Sequence, residues 1–404
     1  MKKKVLFIAD GIALSHVIRM KYLGQSLSRD KYDIYFAAGK EFQNFVGEMD
    51  NLVPLDTLGV AEFDKRLNGM AFKEIYDMEI MDRYIKSDLE LFDEINPDVV
   101  VGDMRISLGI STKLRKIPYI NIQNAYWSIY SEIEDPAIPD IPIFHYLPHG
   151  ISMGIVRFYY PRVERDFAYS YNLKSEELNI PKVKSLNEFY STGDMNLYLD
   201  TPVLSPTKEL PDTERYIGPV LDFPEVSLPD FWDRIPKDKP LVYCSIGSTG
   251  SVDKTTKLIN ALKDIDVSVI LVTAGKNLPG GLPDNIFVCK YVPALKVIER
   301  ASLVIFNGGS GTLYQAMSKG KPVIAIPSSM DQYFACDQVE KRGLGIVLDY
   351  KKLNSPKLKK WIKDLIDNPK WKNNCKKIEE EIKQYNSKDL FPKALDDFIG
   401  EINM

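Results

Sequence analysis

Histidine and cysteine are scarce in this chain, with three and four among 404 residues. The cysteines (Cys244, Cys289, Cys336, Cys375) lie far apart and form no C-x-x-C pair. Neither a zinc ribbon nor a disulfide framework is therefore expected, and a reducing cytoplasm is the simplest compartment. No run of about 18 apolar residues occurs, which excludes an ordinary membrane-spanning helix. Excess positive charge is also lacking: 52 Lys and Arg face 56 Asp and Glu, for a formal net charge of -4. Broad, nonspecific nucleic-acid binding needs a basic surface, so no nucleic-acid partner is expected. Repeats with a period of about 20–50 residues and low-complexity tracts are missing too.

What is present is ordinary for a globular protein: 45% apolar and 27% charged residues. The lysine-rich start followed by VLFIADGIAL imitates a leader peptide. Asp10 interrupts the apolar run and an amphipathic pattern follows, so a first β-strand is the better reading. KKVLFIAD, YDIYFAA, PDVVVGD and PYINIQN read as strands, with helical patterns after the first and third. Residues 61–95 carry helical apolar spacing. PLVYCSIGS, DVSVILVTAG, NIFVCKYV, ASLVIFNGG and KPVIAIPSS read as a second strand series, and the chain from about 355 onward reads as helix. Such alternation implies parallel sheets covered by helices. Prolines recur through 202–240, as in an ordered linker. Residues 135–162 are rich in proline, aromatic and aliphatic residues without clean periodicity, and read as a long buried loop with one helix. The expected fold class is α/β, with two Rossmann-like domains facing each other across a cleft. The divisions are 1–215 (N-terminal domain), 216–239 (linker), 240–385 (C-terminal domain) and 386–404 (a final helix returning to the first domain).

The sharpest motif is Asn307-Gly308-Gly309-Ser310-Gly311-Thr312, between a buried-type strand and a helix. Glycines let a backbone approach a ligand closely. The free N–H groups of a helix start suit an anion, above all a diphosphate. Asp331-Gln332 follows the next strand, and both loops belong to the carboxyl edge where open α/β sheets bind ligands. A carboxylate beside an amide can hold several hydroxyls. A diphosphate cradle next to a hydroxyl-reading pair points to a nucleotide sugar, a co-substrate rather than a cofactor.

The stretch from Tyr291 to Leu348 resembles the donor signature of the UDP-glycosyltransferase family, including its bacterial macrolide glycosyltransferase branch. The family pattern runs aromatic-x-Pro-Gln, then His-Gly-Gly-x-Gly-Thr, then Asp/Glu-Gln. The chain reads Tyr291-Val292-Pro293-Ala294, NGGSGT and Asp331-Gln332. SHVIRM resembles the family's Gly-His-x-x-Arg/Pro element. The resemblance implies a GT-B fold and an inverting, metal-independent hexosyltransferase using a UDP- or dTDP-sugar. It implies His16 as general base, a role suited to histidine's ordinary pKa near 6.5, with Asp103 orienting it. Tyr291 would stack on the nucleotide base and the Val292 backbone would read its edge. Ser248, Asn307, Gly309, Ser310, Gly311 and Thr312 would hold the diphosphate, Gln315 the ribose, and Asp331 and Gln332 the sugar.

Four positions depart from the pattern: Asn307 replaces histidine, Ala294 glutamine, Gln315 glutamate and Ser15 glycine. Asn307 can still hydrogen-bond a phosphate but cannot become cationic. His145 and His149 read as packing or turn residues, and Asp264 and Asp266 as a surface turn rather than a metal site. The expected acceptor is small or lipophilic. The 135–162 segment suits its pocket or a peripheral membrane contact at the inner face. The alternatives are a noncatalytic nucleotide-sugar-binding or partner protein, and a nucleotide-sugar epimerase.

Overall fold

A computed structural model describes the chain apart from residues 1, 48–50, 69–71, 134–137, 139–141, 222–225, 247–251, 277, 279–280, 350–352, 354 and 403–404. The first sheet contains β1 (Lys3–Ala9), β2 (Tyr32–Ala38), β3 (Leu52–Pro54), β4 (Val99–Asp103), β5 (Tyr119–Gln123), β6 (Met195–Tyr198) and β7 (Glu214–Tyr216). Its order is β3-β2-β1-β4-β5-β6-β7, parallel throughout. The second contains β8 (Leu241–Ser245), β9 (Ser268–Val272), β10 (Ile286–Cys289), β11 (Leu303–Phe306), β12 (Val323–Ala325) and β13 (Gly345–Val347). Its order is β10-β9-β8-β11-β12-β13, again parallel. In both sheets the strand order reverses beside the first strand, β1 or β8, and that switch point is where such sheets open a ligand crevice.

Burial on both faces explains the near-continuous apolar strands. In β1, Val5, Phe7 and Ala9 enter one core cluster while Leu6 and Ile8 enter another. A fully buried Val, Leu, Ile or Phe contributes about 1.5–3 kcal/mol. The final helix, Ser387–Ile402, adds Phe391, Ala394, Leu395 and Phe398 to the first of these clusters. Its Phe391 ring lies 5.9 Å from that of Phe7, so the chain's end packs on its beginning.

Two expectations need correction. Part of the proline-rich 202–240 stretch is not linker, because β7 completes the first sheet and ends at Tyr216. The second half of the buried loop expected over 135–162 is helix, His149–Phe167, with an exposed face, while 135–137 and 139–141 lie outside the described residues. Ser152, Val156 and Phe167 face inward at helical spacing, while Phe158 is 78% and Tyr159 55% exposed. Apolar residues on both faces erase the contrast that marks an amphipathic helix, and Pro161 within it imitates a breaker. No helix among the described residues is long and apolar enough to cross a membrane.

Candidate active site

Strand register brings the first set of residues together. Ala9 pairs with Asp103, and the Asp10 N–H donates to the Asp103 carbonyl. The turn after β1 leads into helix Leu14–Gln25, whose first turn carries His16. His16 Nδ1 lies 2.9 Å from Asp103 Oδ1. Arg19 Nη2, which can only donate, lies 3.0 Å from the same Nδ1; in the tautomer that donates Nδ1–H to Asp103, Nε2 carries no proton. The His16 side chain is 15% exposed and Asp103 fully buried, so solvent reaches the imidazole but not the carboxylate.

Arg19, one turn beyond His16 on the same helix face, also grips Asp103. Its Nε bonds Oδ2, its Nη2 donates to Oδ1 at 2.6 Å, and its Nη1 donates to Asn124 Oδ1 at 3.0 Å. Burial alone would raise the Asp103 pKa; the Arg19 charge, with His16, overrides that and holds it below the ordinary carboxylate range. Arg19 and Asn124 were not among the expected site residues. SHVIRM contains Arg19, but no local signal marks Asn124, which reaches the site from the end of β5.

A second buried carboxylate, Asp10, interacts electrostatically with His16. Burial pushes Asp10 up to about 6, against the lowering fields of Arg105 and His16. Met104, between Asp103 and Arg105, adopts φ 56°, uncommon for a non-glycine residue. This turn sends Asp103 toward His16 and Arg105 into the core.

On the second sheet, Phe306 pairs with both Ser245 and Ala325. The Asn307–Thr312 loop therefore sits between the turn after β8 and the one bearing Asp331. Gly308 has φ 88°, and a Cβ there would come within 3.0 Å of Gln332 and 3.1 Å of Pro327, so only glycine fits. Asn307 Oδ1 accepts from the Gly309 N–H at 3.4 Å. Helix Ser310–Met317 begins without a side-chain cap, and Asn307, Gly309, Ser310, Gly311 and Thr312 keep partial solvent access. Ser248 lies outside the described residues.

The other expected residues are more constrained. Gln332 is buried, and its Oε1 accepts from Ser328 N at 2.8 Å. Gln315 is buried and donates to the Leu221 carbonyl at 3.2 Å, which leaves its Oε1 for any ribose contact. Val292 is buried in the core of the second sheet. The partly exposed Tyr291 ring meets that of Phe45 edge-on at 6.5 Å. Asp331 Oδ1 accepts from Tyr126 Oη at 2.9 Å and Trp127 Nε1 at 3.1 Å, which joins the two sheets across the cleft. His145 and His149 fall in a short 3-10 turn and at the start of helix His149–Phe167. No group of three His, Cys, Asp or Glu side chains suited to a metal ion occurs among the described residues.

Comparison with known proteins adds to this geometry. Residues 256–387 match the family model described as "Erythromycin biosynthesis protein CIII-like, C-terminal domain". A "PGL/p-HBAD biosynthesis glycosyltransferase" of Mycobacterium tuberculosis is 34% identical over 382 residues, covering 94% of this chain and 88% of the relative. A "PGL/p-HBAD biosynthesis rhamnosyltransferase" of Mycobacterium bovis is 35% identical over 366 residues, covering 88% and 79%. Among solved structures, the glycosyltransferase VinC in complex with dTDP superimposes with a TM-score of 0.68 at 18% identity, covering 98% of both chains.

Proposed function

We propose, because the chain belongs to the UDP-glycosyltransferase family in its bacterial macrolide glycosyltransferase-like branch, that it transfers a hexose with inversion from a UDP- or dTDP-sugar to a hydroxyl of a small or lipophilic acceptor. It is a glycosyltransferase of the GT-B fold; donor, acceptor, stereochemistry and residue roles are the proposal. The observation that carries it is the His16–Asp103 pair at the carboxyl edge of one sheet, with Tyr126 and Trp127 of that same sheet edge bonded to Asp331 of the other.

His16 Nε2 takes the proton of the acceptor hydroxyl, and Asp103 balances the imidazolium that forms. Arg19 keeps Asp103 ionised throughout. The acceptor oxygen forms its bond to the anomeric carbon as the bond to the diphosphate oxygen breaks. The departing diphosphate keeps that electron pair. Asn307, Ser310, Thr312 and the free N–H groups opening helix Ser310–Met317 stabilise its charge. No metal is required in this scheme. Asp331 and Gln332 hold the sugar, and Tyr291 stacks on the base. The mycobacterial rhamnosyltransferase relative supports a hexose donor, and the exposed aromatic face of helix His149–Phe167 supports a lipophilic acceptor.

A thermal-shift panel of nucleotide sugars in EDTA, alongside the free nucleoside diphosphates, tests the donor half. Stabilisation follows RT ln(1 + [L]/Kd), about 2.7 kcal/mol at a hundredfold excess over Kd. One UDP- or dTDP-sugar is expected to raise Tm clearly. No shift with any of them would contradict the donor assignment and favour a noncatalytic partner protein.

A further inference from the structure

The turn after β5 makes an unusual connection between the two sheets. Its residues Ala125–Trp127 form a single 3-10 turn. The turn is firmly pinned. Asp200 Oδ2 accepts from Ala125 N at 2.6 Å and from Asn124 Nδ2 at 3.1 Å. Ser128 Oγ and Tyr198 Oη are 2.6 Å apart, and Asn124 Oδ1 accepts from Arg19 of the base assembly. The two aromatic side chains that it presents are both buried. Their polar atoms donate to one acceptor, Asp331 Oδ1. The Tyr126 hydroxyl also hydrogen-bonds Ser310 at the start of the glycine-loop helix. Three residues beyond Asp331 on the same helix, the Phe334 ring packs edge-on against both, at 6.3 Å from Tyr126 and 5.3 Å from Trp127.

This is a two-point grip, one polar and one apolar, on a six-residue helix. Two donors on Oδ1 fix the rotation of the Asp331 carboxylate. Among the described residues none donates to Oδ2, so that oxygen remains for a hydroxyl. We propose that Tyr126 and Trp127 are positioning residues for Asp331: they aim its carboxylate at the hexose of the donor, so that the first sheet completes the sugar site of the second. This rests on the functional reading above and adds to it a specific dependence. Through Asp331, recognition of the sugar relies on the contact between domains.

The test compares full-length wild-type protein with Tyr126→Phe, Trp127→Phe and the double variant. The donor KM is read in a turnover assay, and the Kd for free UDP or dTDP by calorimetry. Tyr126→Phe keeps the ring that packs on Phe334 and removes the hydroxyl's bonds to Asp331 and to Ser310, whereas Trp127→Phe removes only the bond to Asp331. Hydrogen bonds to a charged group are strong enough for about a tenfold rise in donor KM per single substitution, and about a hundredfold in the double variant. In Trp127→Phe, which leaves Ser310 untouched, free-nucleotide affinity is expected to stay within about twofold, which also verifies folding. An unchanged donor KM in both singles and the double would overturn the proposal. So would an equal loss of free-nucleotide affinity in Trp127→Phe, the mark of a merely structural contact. Absence of turnover in the wild type would instead sink the functional reading on which the proposal rests.

Discussion

Replacing His16 with alanine is expected to lower kcat by about 10²–10⁴-fold while leaving donor affinity within about threefold. General-base catalysis has that worth, and His16 belongs to the first sheet while the donor loop belongs to the second. The buried Asp103, held ionised by Arg19, supplies the negative charge that an imidazolium needs next to it. Asp103→Asn keeps the shape but removes that charge, so it is expected to lose nearly as much activity with little change in donor KM. Measuring kcat and donor KM on the two variants checks both statements. A His16→Ala variant retaining more than about a third of wild-type kcat would remove the base assignment. An unchanged kcat in Asp103→Asn would show that Arg19 and His16 do not need its charge.

Arg105→Met is expected to have the largest effect on stability, about 3–5 kcal/mol, the range for breaking a buried ion pair by deleting one partner. Arg105 is buried beneath the first sheet's ligand edge. Its Nε donates to Asp88 Oδ1 at 3.0 Å, its Nη1 to the Asp56 carbonyl at 2.6 Å and its Nη2 to the Tyr84 carbonyl at 3.2 Å. The guanidinium lies 3.6 Å over the Tyr84 ring, and Asp10 approaches it at 3.8 Å. Methionine would fill the space but leave two buried carboxylates without a cation. Urea unfolding measured against pH checks the cause as well as the size. Asp10 in the native protein is raised from 3.8 to about 6, chiefly by burial. A raised carboxylate gives stability that is fully present below its unfolded value of 3.8 and is lost as pH rises through about 6. Without Arg105 that penalty grows, so the deficit of the variant should be greatest above pH 6 and shrink on acidification. A pH-independent deficit would point to lost packing instead of uncompensated charge.

Much of the fold is legible in the sequence because parallel strands buried on both faces read as unbroken apolar runs. YDIYFAA coincides with β2, and the valines of PDVVVGD with β4. Helix His149–Phe167 escapes the same reasoning because apolar residues lie on both faces, and Pro161 within it reads as a break. β6 and β7 are too short for a clear pattern of their own; the sheet edge they join gives them their structure. His16, just after the first strand, and Asp103, at the end of another, are legible as neighbours on one sheet edge; β1 and β4 are adjacent, and the helix following β1 brings His16 to 2.9 Å from Asp103. Arg19 is within reach of helical spacing. Asn124, Tyr126 and Trp127 are not, because their importance comes from partners between 76 and 205 residues away in sequence.

The anomeric configuration of the product tests the central claim most directly. The donor identified by thermal shift is incubated in EDTA with macrolide, sterol and phenol acceptors, and the glycoside formed is examined by proton NMR. A product whose anomeric configuration is opposite to the donor's, formed without metal and only when an acceptor is present, is the expected result. Retained configuration would contradict displacement by a His16-activated hydroxyl, and an altered free sugar nucleotide formed without acceptor would identify an epimerase instead.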